Sequence, residues 1–550
     1  MLWLRNSLLS TAVGASALLA VAGQSARAGE VPNAAVAPAY QHVLLISVDG
    51  MHAVDLTNWV KNHPNSWFAK LAGQGIVYPN AYTTGPSDSY PGMLAQVTGA
   101  TPKKGGLFYD DSYDRKEYPS KDFYISQGKI DPGCTGNPGT EVTNFEELDR
   151  SYNYSTALVA DLTGGGTLGQ VYTQLDPDHM QRQLVGDKCV PVYPHEYVRT
   201  NTIFEVIHAA GRRGVWSDKH PAYEDLSGPS GKGLDELFAP EINSQDTLDP
   251  GAQPGDDYTT SYTGVRTYDA IKVNAVLNWI DGYDSTRSKL APVPALFGMN
   301  FQAVSIGQKL AKSGNADADK NLTGGYLDAT ATPGPALTLQ LQFVDDQLGR
   351  FMHELANQNL DESTLIIVSA KHGQSPIDPK DRVAISDAPY ASAPGFGSHG
   401  FEICDDEALV WLAPEFQQAT DLATGKAFYA EAEAYILDHA AELRIKRLLD
   451  RTELTKFYED PFHNTRVPDF IAVTDHGVIC TSGTKLAEHG GFSKDDRNVA
   501  MVVSSPSMKP ETIDTRVFTT QIAPTILYAL GLDQLQLDAV QQEGAQVLTH

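Results

Sequence analysis

HVLLISVDG, residues 42–50, combines a run rich in Val, Leu and Ile with an acid and a glycine at its end. A run of this length and composition is typical of a strand buried in the middle of a parallel sheet. Ligands bind at the carboxyl ends of the strands in open α/β sheets, so Asp49 is predicted to face a binding site. Taken alone, Asp49-Gly50 is more often an ordinary turn after a strand.

A hydroxyl group follows in PSDSYPG, residues 86–92, where Ser89 lies between helix-breaking residues just before a helical pattern over 93–98. An acid at a strand end and a hydroxyl at a helix start can together bind a phosphate-type anion. The carboxylate can hold a cation, the hydroxyl can attack, and the helix N-terminus favours negative charge. Ser89 can also be only a helix cap. The order and spacing of Asp49 and Ser89 favour the functional interpretation.

Strand and helix patterns alternate along the rest of the chain. Further strands are predicted at residues 214–217, 294–302, 364–369, 469–473 and 499–503, and helices at 202–210, 268–279, 336–357 and 513–531. Residues 405–451 show an acidic, helical pattern. The alternation predicts an α/β fold in which a mostly parallel sheet carries helices on both faces. Because parallel strands end at one edge, polar residues that follow them are expected to converge there.

The chain is strongly acidic. Its 550 residues include 41 Lys plus Arg against 68 Asp plus Glu, which gives a formal charge of -27. Such a surface repels nucleic acid and anionic membranes, so a nucleic-acid duplex is excluded as a partner. A phosphate-bearing small molecule would have to be attracted by cationic groups inside the pocket. The oligomeric state is left open by the sequence.

The N-terminal segment has the features of a signal peptide. Arg5 precedes an apolar stretch over residues 8–22, and Ala26-Arg27-Ala28 has the small-x-small form of a cleavage site. Residues 1–28 are therefore predicted to be removed on export to the periplasm or the medium; an uncleaved anchor is the alternative. Residues 29–550 contain no apolar run of the roughly 18 residues that a membrane span needs.

Residues 29–550 are predicted to form a single domain, although their number would allow two or three. From about residue 114 to residue 196 the alternation is lost in a segment rich in Gly, Pro, Tyr and Asp. This segment is predicted to be an irregular insertion that lies over the site, and a purely structural excursion is the alternative.

The chain has four cysteines, and export would allow them to form disulfides. Three pairings are possible, and the sequence alone does not determine which one forms. We favour Cys134 with Cys189 and Cys404 with Cys480, because each bridge then lies within one region of the chain.

Five motifs carry a resemblance to a known family: ISVDG at 46–50, SDSYPG at 87–92, VTG at 97–99, LIIVSAKHG at 365–373 and HGG at 489–491. In these motifs the chain resembles the alkaline phosphatase superfamily, and within it the nucleotide pyrophosphatase/phosphodiesterase branch. The resemblance covers most of the chain in order, with 114–196 outside it. It implies two cations, usually zinc, that bridge the phosphoryl oxygens. Carried over by motif, Ser89 would be the nucleophile. The cation ligands would be Asp49, Ser89, His372 and His489.

The chain departs from this family at three ligand positions. Lys371 stands where the family has an acid beside His372. Val304 and Gln308 stand where it has an Asp and a His four residues apart. A protonated lysine does not bind a metal, and its charge repels a nearby cation.

Two interpretations of these departures are open. In the first, Lys371 replaces one cation, neutralises phosphoryl charge and lowers the pKa of Ser89. At most one zinc or other divalent ion, or none, would then remain on Asp49, His372 and His489. In the second, the site is a degenerate scaffold that binds without chemistry.

Asp475-His476 offers an alternative to the Lys371-His372 pair, because it also follows a predicted strand and precedes a glycine. In the family, a long stretch of chain separates the Asp-His ligand pair from the last histidine ligand, which corresponds to His489. Asp475-His476 comes only shortly before His489. We therefore prefer Lys371-His372 and predict a hairpin turn at Asp475-His476.

The function predicted from these residues is an exported hydrolase of phosphate esters, diesters or pyrophosphates rather than monoesters, that acts through a phosphoserine. The alternatives are a metal-poor or metal-free relative acting on a sulfate or phosphonate ester, and a catalytically dead binding protein on the same fold. Polar residues after other strands are candidates for substrate binding, with Lys219 suited to an anionic group and Asn300 to an oxyanion. These candidates are Lys219, His220, Asn300, Gln302 and Gln308.

Overall fold

The computed structural model describes residues 39–143, 175–244, 252–253, 256–314, 318–397, 399–414, 422–461 and 463–548. The predicted signal peptide, 1–28, and the centre of the predicted insertion, 144–174, lie outside the described residues. Both therefore stay predictions.

The predicted strand HVLLISV is observed as His42–Val48, the central strand of an eight-stranded sheet. One strand, Val502–Ser504, is antiparallel to both of its neighbours, and the other strand pairs in this sheet are parallel. The predicted mostly parallel sheet is thus confirmed. In spatial order its strands are Glu511–Thr512, Gly75–Val77, Val502–Ser504, Thr364–Ser369, His42–Val48, Leu296–Phe301, Val215–Ser217 and Glu236–Phe238.

Apolar cores cover both faces of this sheet. Val43 and Leu45 of the central strand lie in one core, while Leu44 and Ile46 lie in the other, as the alternation of strand side chains requires. The first core is closed by the helices Ser89–Thr98, Ile203–Ala209 and Ile522–Ala529, and the second by Ala53–Asn62, Tyr262–Ile280 and Pro335–Asn357. The prediction of helices on both faces is confirmed.

The remaining helices are short apart from one. The α-helices are Trp67–Gly73, Pro102–Gly105, Lys121–Ser126, Ala303–Lys309, Leu422–Asp438, Arg451–Leu454, Lys494–Arg497 and Asp538–Glu543. The 3₁₀ turns are Pro194–Tyr197, Pro221–Ser227, Tyr258–Thr260, Asp361–Ser363, Tyr390–Ser392, Thr519–Gln521 and Gln534–Gln536. None of the helices in the described part of the chain combines the length and apolar character needed to cross a membrane.

The helical prediction for 405–451 is wrong in part. A second, antiparallel sheet contains, in spatial order, Phe401–Cys404, Ala408–Trp411, Phe470–Thr474 and Ile445–Leu449. Only Leu422–Asp438 of the predicted segment forms a long helix. Short apolar runs such as ALVW have no period that distinguishes a buried strand from a buried helix.

Four two-stranded ribbons complete the secondary structure of the described residues. They pair Val383–Ile385 with Val478–Cys480, Val517–Phe518 with Ala81–Tyr82, Asp111–Asp114 with Thr140–Thr143, and Arg182–Val185 with Lys188–Pro191. The disulfides Cys134–Cys189 and Cys404–Cys480 both form, so the predicted pairing is confirmed.

Candidate active site

Asp49 follows the central strand, and its carboxylate is fully buried. The neighbouring strand Leu296–Phe301 runs parallel to it, with Ser47 opposite Asn300. This register lets the Asn300 side chain donate from Nδ2 to Asp49 Oδ1 at 2.8 Å, and Gln302 donates from Nε2 to Oδ2 at 2.6 Å. Two candidate substrate-binding amides therefore orient the Asp49 carboxylate.

Two lysines that follow other strands of the same sheet approach this carboxylate, one from each side of the central strand. Lys219 Nζ lies 3.7 Å and Lys371 Nζ 4.0 Å from Asp49 Oδ2. Burial alone would raise the pKa of Asp49, but the Lys371 and Lys219 ammonium groups, with His372, hold that pKa well below its usual range. Asp49 is therefore an anion that already has cationic partners.

Lys371 is fully buried, and its ammonium group donates hydrogen bonds to groups other than Ser89. Its ammonium donates to Asp218 Oδ1 at 2.8 Å and to the Tyr223 hydroxyl at 2.8 Å, and it lies 4.0 Å from the centre of the Tyr223 ring. Burial lowers the pKa of Lys371 despite the raising effect of Asp218 and Asp49. Lys371 and Asp218 form an internal ion pair beneath the strand ends.

Lys371→Met is expected to destabilise the fold by about 3–5 kcal/mol, because breaking a buried ion pair leaves the other charge uncompensated. Urea unfolding at neutral pH measures this loss. The control is Lys121→Met, since Lys121 pairs with Asp178 at the surface, where the side chains are about half exposed. Equal unfolding free energies for the two variants would contradict a structural role for the buried pair.

Ser89 is the first residue of the helix Ser89–Thr98, and Asp88 caps this helix by accepting the Tyr90 amide at Oδ2, 3.1 Å away. Gly92 allows the helix to lie directly against the end of the strand Thr364–Ser369. A Cβ atom at Gly92 would lie 2.3 Å from the carbonyl oxygen of Lys371. Gly92 therefore determines how close the helix that carries Ser89 comes to the strand ends.

The Ser89 hydroxyl lies between a cation and an imidazole. Lys219 Nζ donates to Ser89 Oγ at 2.9 Å, and His372 Nε2 lies 3.2 Å from the same oxygen. Burial opposes the charge on Lys219, but the Asp49 and Asp110 carboxylates raise its pKa above the ordinary value. Lys219 is thus an ammonium group in contact with the hydroxyl.

His372 is held as a neutral acceptor. Burial lowers the pKa of His372 to about 4, and its Nδ1 donates to the Gly373 carbonyl at 2.9 Å. The proton on Nδ1 leaves the lone pair of Nε2 directed at Ser89 Oγ. Because Lys219 donates to Oγ, the hydroxyl hydrogen is left to bond to His372.

A second group of potential ligands adjoins this pair. The His489 ring lies 4.0 Å from the His372 ring, and His489 Nδ1 lies 3.6 Å from Asp88 Oδ1. Within the part of the chain that the structure describes, Asp88, Asp110 and His489 are the one set of three such side chains whose ligand atoms all lie within 4.8 Å of one another. These three residues could hold a metal ion.

A cavity of about 450 Å³ opens beside these residues. Asp110, Lys219, His220, Gln302 and His489 form part of its lining, together with Lys309, Lys312 and Lys485. In a chain of charge -27, four lysines lie around this one cavity, and two of them, Lys309 and Lys485, share the Glu488 carboxylate. The cavity therefore offers cationic groups to an anion.

The residues do not fit the two-cation arrangement that the family resemblance implies. Lys219 and Lys371 place ammonium groups within 4.0 Å of Asp49, where a bound cation would be repelled. At the site of the family's second cation, Val304 replaces the Asp ligand and offers no ligand atom, and Gln308 replaces the His ligand. Gln308 donates its amide hydrogens to the Gly50 carbonyl at 2.9 Å and the Tyr326 hydroxyl at 2.7 Å.

Most of the residues selected from the sequence converge. Direct contacts join Asp49, Ser89, Lys219, Asn300, Gln302 and His372, and the His489 ring lies beside His372 at an angle of 41°. His220 lines the cavity, with Nδ1 2.8 Å from Glu241. Gln308 is fully buried in the network described above and is not among the described residues that line the cavity.

Asp475-His476 lies in a turn, but this turn does not connect a hairpin. The strands on either side of it, Phe470–Thr474 and Val478–Cys480, pair with different neighbours. His476 is partly exposed and approaches Asp381 and Asp495.

Three acids in the site were not assigned a role from the sequence: Asp88, Asp110 and Asp218. Asp88 directly precedes Ser89 in SDSYPG, Asp110 lies shortly before the predicted insertion, and Asp218 directly follows the predicted strand 214–217. Their positions beside motif residues were the available signal. Their partners, however, come from distant parts of the chain.

Comparison with known proteins agrees with this fold. Residues 43–225 and 241–498 match the family described as type I phosphodiesterase / nucleotide pyrophosphatase. An inactive form of murine ectonucleotide pyrophosphatase/phosphodiesterase 5, in complex with AMP, is 14% identical over 90% of this chain and 96% of that chain, with a TM-score of 0.53. Wild-type alkaline phosphatase PafA is 13% identical over 90% of this chain and 96% of that chain, with a TM-score of 0.56.

No curated protein matches the chain in sequence. The two structural likenesses, at these identities, establish an alkaline-phosphatase-like fold. The family match spans most of the chain and includes the segments that carry Asp49, Ser89, His372 and His489. The chain therefore belongs to the type I phosphodiesterase / nucleotide pyrophosphatase family of phosphoester hydrolases.

Proposed function

We propose that the protein hydrolyses phosphodiesters or pyrophosphates with Ser89 as its nucleophile. The observation that carries this proposal is the position of Ser89 Oγ, 2.9 Å from Lys219 Nζ and 3.2 Å from His372 Nε2 at a helix N-terminus. A hydroxyl is a weak nucleophile unless a base accepts its proton or a cation stabilises its alkoxide. This site has a group for each task.

In the proposed reaction His372 Nε2 accepts the proton of Ser89 as Oγ attacks phosphorus. The bond from phosphorus to the leaving oxygen breaks, the leaving group departs with the proton from His372, and the phosphoryl group stays on Ser89 with its second ester still attached. Water then attacks this phosphorus, releases a phosphate monoester and restores the Ser89 hydroxyl, with inversion at each step. The Lys219 ammonium stabilises negative charge on Oγ and on the phosphoryl oxygens. Positioned charges of this kind are the main source of catalysis in phosphoryl transfer.

Lys219 is the group to which we assign the cation-replacing role predicted for Lys371. Lys219 contacts Ser89, whereas Lys371 directs its hydrogen bonds to Asp218 and Tyr223. In this proposal Lys371 is a positioning residue whose charge keeps Asp49 ionised. Asn300 and Gln302 act in the same way, because both donate to the Asp49 carboxylate.

The charge of the site supports a singly charged phosphoryl group. Within the described residues, Lys219 is the ammonium group that contacts Ser89 Oγ, while Lys371 is paired with Asp218. One ammonium group offsets the single charge of a diester, whereas it leaves one charge of a monoester dianion uncompensated. The lysines of the cavity are suited to further anionic groups on the substrate, as in a pyrophosphate, and the AMP bound by the murine protein supports a nucleotide-like substrate.

We expect the purified protein to hydrolyse a chromogenic aryl phosphodiester with a kcat/KM at least about tenfold above that for the aryl phosphate monoester, a difference of about 1.4 kcal/mol in transition-state binding. The corresponding aryl sulfate is expected to react more slowly than either phosphate. Initial rates with the three esters, which share one leaving group, measure the order. A preference for the monoester or the sulfate would contradict the proposed substrate class.

The proposal includes export and fewer divalent cations than the two that the family resemblance implies. Two disulfides support an oxidising compartment such as the periplasm or the medium. The family is typically metal-dependent, and the donor set around Asp49 does not fit its cation pair.

A further inference from the structure

We propose that Asp88, Asp110 and His489 bind one divalent cation of the zinc class beside the nucleophile. This inference rests on the proposed function, in which the ion would face the phosphoryl group on Ser89. Neither Asp88 nor Asp110 is at a ligand position that the family resemblance implies, and Asp49 is not one of the three proposed ligands. His489 alone is shared with the family's ligand set.

Two buried atoms are aimed at this position. Asp88 is fully buried and His489 is 5% exposed, and neither Asp88 Oδ1 nor His489 Nδ1 has a hydrogen-bond partner among the described residues. They lie 3.6 Å apart. Ligand atoms about 2.0–2.2 Å from a tetrahedral zinc ion are separated by roughly 3.3–3.6 Å. The separation of the two atoms therefore matches two ligands of one ion.

The rest of each side chain is already oriented. Asp88 uses its other oxygen to cap the Ser89 helix, and the His489 ring packs against the His372 ring, 4.0 Å away. Asp110 accepts the Asp111 amide at 2.9 Å and faces the cavity. Three protein ligands with one side open to a cavity are typical of a catalytic zinc site, where water or substrate takes the fourth position.

The charge of the surroundings favours the same ion. Asp88 and Asp110 are two acids whose oxygens lie within 4.8 Å of each other. One divalent cation bound between them would offset the charges of both carboxylates. Buried carboxylates are otherwise costly unless they are paired or bound to a metal. Carboxylate and imidazole together are ligands that zinc accepts.

The test is zinc binding by the full-length purified protein after chelator treatment, measured by equilibrium dialysis and elemental analysis. We expect about one zinc per chain. Asp88→Asn, Asp110→Asn and His489→Gln are each expected to weaken zinc binding by at least about 100-fold, since losing even an outer-shell partner of a metal site costs 10–100-fold. Asn at position 88 can still cap the helix, so this variant should keep its fold.

Asp49→Asn is the matched control, because it makes the same change of acid to amide at the strand end. It is expected to retain one zinc. Loss of zinc in Asp49→Asn together with retention in Asp110→Asn would overturn the proposed position of the ion. A zinc-induced rise in melting temperature that Asp110→Asn lacks would support it without reference to activity.

The outcomes for the two proposals are distinguishable. Zinc-free protein that hydrolyses a phosphodiester at the full rate, and binds no zinc in dialysis, would overturn the cation site and leave the proposed function intact. Protein that binds one zinc through these residues but hydrolyses no phosphodiester would support the cation site and overturn the proposed function.

Discussion

Ser89→Ala is expected to lower kcat/KM for a chromogenic phosphodiester by at least about 1,000-fold, since removal of a catalytic nucleophile costs up to roughly a millionfold in well-studied hydrolases. The variant loses the oxygen that attacks phosphorus but keeps Lys219, His372 and the helix N-terminus. Initial rates at several substrate concentrations measure the loss. The fold should be unaffected, because the helix is capped by Asp88 and not by Ser89.

Ser87→Ala is the matched control for this result. Ser87 lies two residues before Ser89, is fully buried, and its hydroxyl has no hydrogen-bond partner among the described residues. Its backbone amide donates to the Gly491 carbonyl, a bond that alanine retains. We expect near wild-type rates for Ser87→Ala. Comparable rates for Ser89→Ala and Ser87→Ala would contradict the role of Ser89.

The same reaction gives a second measurement. Acid-quenched wild-type protein is expected to carry the phosphoryl group of the substrate, with its second ester still attached, on the peptide that contains Ser89, and the alanine variant is expected to carry none. Hydrolysis without any trapped phosphoprotein, even at saturating substrate, would favour direct attack by water. In that case Ser89 would serve only to bind the phosphoryl group.

The main sheet could be predicted from the sequence because its strands have strong local patterns. His42–Val48 and Thr364–Ser369 are short, apolar and rich in β-branched residues, and both were predicted with the bounds that the structure has. The polar residues that follow these strands were expected to lie at one edge of the sheet, because parallel strands end at the same edge. This argument correctly predicted that Asp49 and His372 lie close together.

The antiparallel sheet could not be predicted in the same way. Ala408–Trp411 and Ile445–Leu449 are short and lie on either side of a genuine helix. Their pairing with Phe470–Thr474 is non-local, and no turn signal connects all the strands. The acidic pattern of 405–451 favoured a helix, whereas two of its first acids, Asp406 and Glu407, are buried beside the strand Ala408–Trp411.

Side-chain partners were the least predictable part of the site. Lys371 and Lys219 both follow strands of the sheet, and sequence alone does not determine which ammonium reaches Ser89. The structure separates them through Asp218, whose carboxylate accepts the hydrogen bond of Lys371. Likewise, Asp88 and His489 are distant in sequence, so their approach depends on the full chain topology.

Lys219→Met is expected to lower kcat for phosphodiester hydrolysis by about 100- to 1,000-fold, which is the usual effect of removing one group that stabilises transition-state charge. Methionine keeps much of the apolar stem but removes the ammonium that donates to Ser89 Oγ. Lys232→Met, at an exposed lysine, is the control and should leave the rate unchanged.

Steady-state kinetics of Lys219→Met then separate two possible roles of the ammonium group. A fall in kcat with little change in KM places the lost charge in the transition state, whereas a rise in KM alone would limit Lys219 to binding the substrate anion and would leave the cation's role to Lys371.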